Sequence, residues 1–175
     1  MMNQNQCHEQ VSFRLYTSVC RAGWFGQIWA KLHGQPRRLR DLTEVAAGGA
    51  VGNRRAAGTQ AVPIQQICGS EGRCEDFDNA FRPLKGHTQD RWLSVARGYL
   101  AGHGLPPVEL IQIGESYFVR DGHHRISVAA AIGQHEIDAV VTVWQVAEPA
   151  RQERAVDAAP AARREAPTFA EALPA

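Results

Sequence analysis

The chain has 175 residues, 44% hydrophobic and 21% charged, a composition that suits a globular protein with one sizeable core and appendages. Net charge is +1, but residues 11–58 hold eight Lys/Arg against Asp41 and Glu44, a local +6 that leaves −5 for the remainder. Met1–Gln10 shows no basic segment leading into an apolar one, so no signal peptide is expected. No apolar run approaches the roughly 20 residues that cross a bilayer, and the expectation is a cytoplasmic protein without a membrane partner. Cys7, Cys20, Cys68 and Cys74 lack C-x-x-C spacing, which points to free thiols rather than metal ligands.

Phe13–Leu32 carries bulky apolar residues at near-helical spacing (Leu15, Val19, Trp24, Ile28, Leu32), with Ser12 placed to cap it. Gly23 and Gly26 predict one kinked helix or two short ones. Lys31, Arg37, Arg38 and Arg40 follow, and Arg38–Val45 reads as a short amphipathic helix. Arg54-Arg55 sits in a Gly/Ala-rich stretch that reads as a loop. These cations, Lys31, Arg37, Arg38 and Arg40 above all, are candidates for contact with DNA or an acidic protein, against the plainer reading of solvated basic helix faces.

Ala61–Ile64 is a short extended segment confined to an edge by Pro63. Gly69–Arg73 reads as a loop, and Phe77 and Phe81, four apart, as core plugs from one helical turn. Thr88–Leu100 is the clearest helix, with Thr88 as cap and a stripe of Trp92, Val95, Ala96, Tyr99 and Leu100. Val108–Ile113 and Tyr117–Val119 around Gly114-Glu115-Ser116 predict a hairpin. A further helix through Ile126 and Ala130 ends at Gly133, and Ile137–Val143 alternates as a last strand. Residues 147–175, rich in Ala, Pro, Arg and Glu, read as a disordered tail.

One stretch carries chemistry. In Val119-Arg120-Asp121-Gly122-His123-His124-Arg125 a strand empties through Asp-Gly into a helix whose first turn bears two histidines and an arginine. A helix N-terminus has unpaired N–H groups and a partial positive charge, Gly122 permits close backbone approach, and Arg125 offers a two-pronged donor. That combination suits a phosphate, with Arg73 able to approach from the preceding loop. Asp121 is the candidate for chemistry, as a base toward a hydroxyl acceptor or a ligand of Mg²⁺; capping the helix is its structural alternative. Glu71, Asp76 and Asp78 are secondary candidates.

Taken together, Val62-Pro63-Ile64, Arg73 with Phe77-Asp78, the capped helix, Pro106–Leu110 and Tyr117–Arg125 resemble the N-terminal domain of the ParB/sulfiredoxin superfamily over about residues 60–145. The resemblance implies a compact α+β domain with a small mixed sheet and helices (59–146), to which charge and composition add a basic helical appendage (1–58) and a disordered tail (147–175). It also implies a nucleotide (ATP, ADP or CTP) with Mg²⁺, its phosphates on Gly122, His123, His124, Arg125 and Arg73. His123 stands where sulfiredoxins have the reactive cysteine, which argues against sulfinic acid reduction. The chain also shows neither the helix-turn-helix nor the dimerising domain that follows in ParB proteins, which argues against chromosome segregation. Three readings stay open: a Mg-dependent nucleotide hydrolase or phosphotransferase, a non-catalytic nucleotide-switched module that binds DNA or protein, and a ParB-like nuclease.

Overall fold

The computed structural model describes residues 4–34, 37–47 and 51–146; the stretch read as a disordered tail lies outside them. In chain order the elements are α1 (Gln4–His33), β1 (Arg40–Asp41), α2 (Leu42–Ala47), β2 (Val51–Pro63), β3 (Ile67–Ser70), α3 (Gln89–Leu100), β4 (Val108–Ile113), β5 (Ser116–Asp121), α4 (His123–Ala131) and β6 (Glu136–Val146). The strands form one six-stranded mixed sheet in the order β1-β3-β5-β4-β6-β2. The β4–β5 hairpin is its centre; β4 pairs parallel with β6 and β5 parallel with β3, while β2 closes one edge antiparallel to β6. The chain is thus α+β.

The hairpin residues divide by face, as side chains on successive strand positions must. Leu110 and Val119 pack with Val62, Ile126, Ala129, Ala139 and Val141 under α4. Ile111 and Phe118 face the other way, onto Leu42 of α2 and Trp144. A third cluster links the helices: Trp92 of α3 meets Tyr16 of α1 at 5.3 Å between ring centroids and donates its indole N–H to Ser127 Oγ of α4 at 2.8 Å. The stripe on α3 therefore fixes α1 and α4 to one another, and α4 to the sheet.

Several local expectations give way to tertiary contacts. α1 runs unbroken through Gly23 and Gly26, both buried. A Cβ on Gly23 would lie 3.3 Å from Arg82 Cβ, and one on Gly26 2.8 Å from Arg37 Nη1. The glycines let the helix approach the 82–84 segment closely, which offsets their poor helix propensity. Ser12 lies inside this helix, donating to Glu9 O at 2.9 Å, rather than capping it. The Arg54-Arg55 loop is instead the middle of β2, paired with Trp144 and Val143 of β6. Its exposed small and polar residues give no alternation to read, so the neighbouring strand, not propensity, makes it a strand. The 58/59 boundary falls inside this element.

The helix read over Arg38–Val45 starts four residues later, after β1, with Asp41 Oδ1 accepting the Thr43 N–H at 2.8 Å. Phe77 and Phe81 are both buried, but no helical turn presents them. Phe77 bridges to Pro83, Phe81 has φ 56°, and the buried Asp78 Oδ1 accepts the N–H groups of Ala80 (3.0 Å) and Arg82 (2.8 Å). Thr88 caps nothing through its side chain: its hydroxyl donates to Lys85 O at 2.6 Å.

Candidate functional site

β5 ends at Asp121 and α4 begins at His123, so Gly122 makes the whole turn between them. Its φ is +106°, and a Cβ there would lie 2.5 Å from Val108 Cγ1. Both the left-handed backbone and the tight contact with β4 require glycine. The helix starts at once: Ile126 N–H donates to Gly122 O at 3.0 Å.

The two histidines that follow do different things. His123 is buried; its Nε2 lies 2.6 Å from Ser70 Oγ at the end of β3, and its ring stacks on Phe77 at 5.9 Å. Ser70 Oγ also accepts the Arg73 N–H at 3.2 Å, so one hydroxyl ties the 70–73 turn to the first turn of α4. His124 is half-buried, edge-on to Phe77 at 5.4 Å, and its Nδ1 has no hydrogen-bond partner. Burial, and then the positive charge of Arg73, lowers both histidines to about 4. They are neutral at pH 7 and add polarity without charge.

Arg125 is partly committed. Its Nη2 donates to Asp121 Oδ2 at 2.6 Å, one helical turn back, and its Nη1 donates to the carbonyls of Pro106 and Pro107. Asp121, 70% exposed at its side chain, is therefore an ion-pair partner of the residue expected to hold phosphate.

These groups line a cleft of about 950 Å³ together with side chains that the motif did not point to: Arg91 and Ser94 from α3, His87 just before it and His103 just after it. Arg73 and Arg120 also line it, Arg120 in an ion pair with Glu71 at 3.0 Å. Among the lining residues Asp121 is the one carboxylate, set against four arginines and four histidines. The secondary carboxylates lie elsewhere. Glu71 binds Arg120, Asp76 sits 3.3 Å from His87 Nε2 and 3.6 Å from Lys85 Nζ, and Asp78 organises its own loop. Arg91 lies on the polar side of the α3 stripe, and nothing in its own sequence neighbourhood points to the turn at Gly122.

The N-terminal cations are not part of the cleft lining. Arg38 pairs with Glu75 at 3.0 Å, Arg40 lies 6.0 Å from the Phe118 ring centroid, Arg37 packs beside Gly26, and Lys31 is exposed in the last turn of α1. Among the described residues no group of three or more His, Cys, Asp or Glu side chains is placed to hold a metal ion, and no helix is long and apolar enough to cross a membrane. No family model, no curated protein and no solved structure matches the chain.

Proposed function

We propose that the cleft binds the phosphates of a nucleotide, and that the protein is a nucleotide-binding module of the ParB/sulfiredoxin type in which binding, rather than turnover, is the primary activity. The observation that carries this reading is the charge of the lining: four arginines converge there with a single carboxylate. A hydrogen bond to a charged group is worth about 1.5–3 kcal/mol, against about 0.3–1 for a helix terminus. Arg73, Arg91 and Arg125 thus supply most of the affinity, and the neutral histidines and the first N–H groups of α4 supply direction. The superfamily assignment is supported by the run of strand, Arg73 loop, helix, hairpin, Asp-Gly-His-His-Arg turn and strand in a mixed sheet.

The lining residues do not fit a Mg²⁺ held by the protein. Asp121 is bound to Arg125, and the surrounding guanidinium groups repel a cation. Phosphate charge is met by arginine instead. A second reading, nucleotide hydrolysis or phosphoryl transfer, is favoured by one fact: Asp121 stands exposed at the cleft beside Gly122, where it can accept a proton from a hydroxyl or water.

Thermal unfolding with ATP, ADP and CTP tests the binding. A ligand specific for the folded state at 100 times its Kd adds about 2.7 kcal/mol of stability. Stabilisation by at least one nucleotide, lost in Arg73→Ala and Arg91→Ala, is the expected result; no stabilisation by any of the three overturns the proposal. Product release above an Asp121→Asn control would move the function to the second reading.

A further inference from the structure

α1 has two apolar faces, and the fold uses one. Ser12, Tyr16, Gly23, Gly26 and Ala30 turn inward. At 100° per residue, Trp24, Ile28 and Leu32, with Phe25 and Trp29 beside them, fall on the opposite side of the cylinder. Trp24 and Trp29 are each 60% exposed and Leu32 75%. With large aromatic side chains presenting 150–250 Å² each when fully open, the patch exposes on the order of 500 Å² of apolar surface, at the upper end of what single proteins leave uncovered.

Charge decides what this face fits. From Gln10 to Arg40 the chain contains no Asp or Glu and six cations, Arg14, Arg21, Lys31, Arg37, Arg38 and Arg40. Arg14, Arg21 and Lys31 are exposed on α1 itself, on or beside the outward face. A second copy docked through this face would set like charges against like. An anionic surface with an apolar layer beneath it satisfies both features: indole rings seat at the boundary with their N–H groups toward water, aliphatic side chains reach deeper, and cations meet headgroup phosphates.

We propose that the outward face of α1 docks on an anionic lipid bilayer surface, lying in the plane of the headgroups with Trp24, Phe25, Ile28, Trp29 and Leu32 inserted and Arg14, Arg21 and Lys31 on lipid phosphates. This revises the expectation of no membrane partner without requiring a spanning segment. The cleft opens among α3, α4 and the loops before them, so the docking does not depend on nucleotide binding.

The test uses the full chain with vesicles of phosphatidylcholine alone and of phosphatidylcholine mixed with phosphatidylglycerol. Trp92 and Trp144 are buried, so a change in tryptophan emission reports on Trp24 and Trp29. The expected result is a blue shift and co-flotation with the anionic vesicles, roughly ten-fold or more stronger than with the neutral ones. Trp24→Ala/Trp29→Ala abolishes both, and Arg21→Gln/Lys31→Gln removes the anionic preference; their positions on the exposed face leave the unfolding temperature near that of the parent. Four outcomes overturn the proposal: no flotation with anionic vesicles; flotation unchanged in the Trp pair variant; concentration-dependent dimerisation that the pair variant removes; and a tryptophan response to single-stranded DNA but not to vesicles.

Discussion

Ser70 and His123 share a 2.6 Å hydrogen bond that joins the end of β3 to the first turn of α4, with both residues buried. The same Ser70 oxygen accepts the Arg73 N–H, so the pair sets where Arg73 leaves the sheet. Ser70→Ala strands a buried imidazole nitrogen, and the penalty for such an orphan is about 1–3 kcal/mol. Urea unfolding of the variant should show a midpoint lowered accordingly with an unchanged slope; a midpoint equal to that of the parent would show that the bond does not hold the turn.

Stability should also depend on pH through His123. Its folded value, about 4, lies below the unfolded value near 6.5, so between those limits the unfolded chain binds a proton that the folded chain does not. Stability is therefore fully present above pH 6.5 and falls as pH drops toward 4. For this one buried group the loss is on the order of 2–3 kcal/mol. Denaturant titrations at pH 7, 5.5 and 4.5 should show the decline, and His123→Gln should flatten part of it.

On the proposed phosphate-binding function, Asp121, paired with Arg125 at 2.6 Å, would compete with the ligand for that guanidinium. Removing its charge in Asp121→Asn frees the guanidinium and lowers the negative potential at the cleft, so phosphate binding should tighten several-fold, whereas Arg125→Ala should weaken it by about ten-fold or more. Isothermal titration with the nucleotide that stabilises the protein best measures both. Weaker binding in Asp121→Asn would mean that the carboxylate positions Arg125 for the ligand rather than holding it away.

Gly122→Ala meets two obstacles at once, a left-handed φ of +106° and a contact 2.5 Å from Val108 Cγ1. The backbone conformation alone costs about 1–2 kcal/mol for an L-residue, and pushing β4 away from α4 adds to it. A thermal melt should show a loss of more than about 2 kcal/mol. A variant as stable as the parent would show that the turn can take another shape.

α3, the hairpin and the turn into α4 were readable along the chain because each is marked by residues close in sequence. The apolar stripe from Trp92 to Leu100, the alternation on either side of Gly114, and Asp-Gly before a helical period are local signals. The Asp121–Arg125 pair was also visible as an i, i+4 spacing, although the motif drew both residues toward a ligand rather than toward each other. Of the edge strand β2 only the end, Ala61–Pro63, was readable; the solvent-facing Arg, Gly, Ala and Thr residues before it carry no period and become a strand only by pairing with β6.

The charge of the cleft belongs to the tertiary level. Trp92 of α3 packs on α4 through Ser127, and that contact brings Arg91, His87 and His103 over the turn at Gly122, residues separated from it by about a helix and a hairpin. Burial is decided there too. His123 and His124 are adjacent residues of one type, both against Phe77 and both bordering the cleft, and it is the hydrogen bond to Ser70 with fuller burial that makes the first a strut between β3 and α4. A short-range pattern can place a residue on a helix and at its start, because backbone geometry repeats over a few residues. Which other charges surround it, and whether water reaches it, depends on segments that meet only when the sheet and helices close on one core.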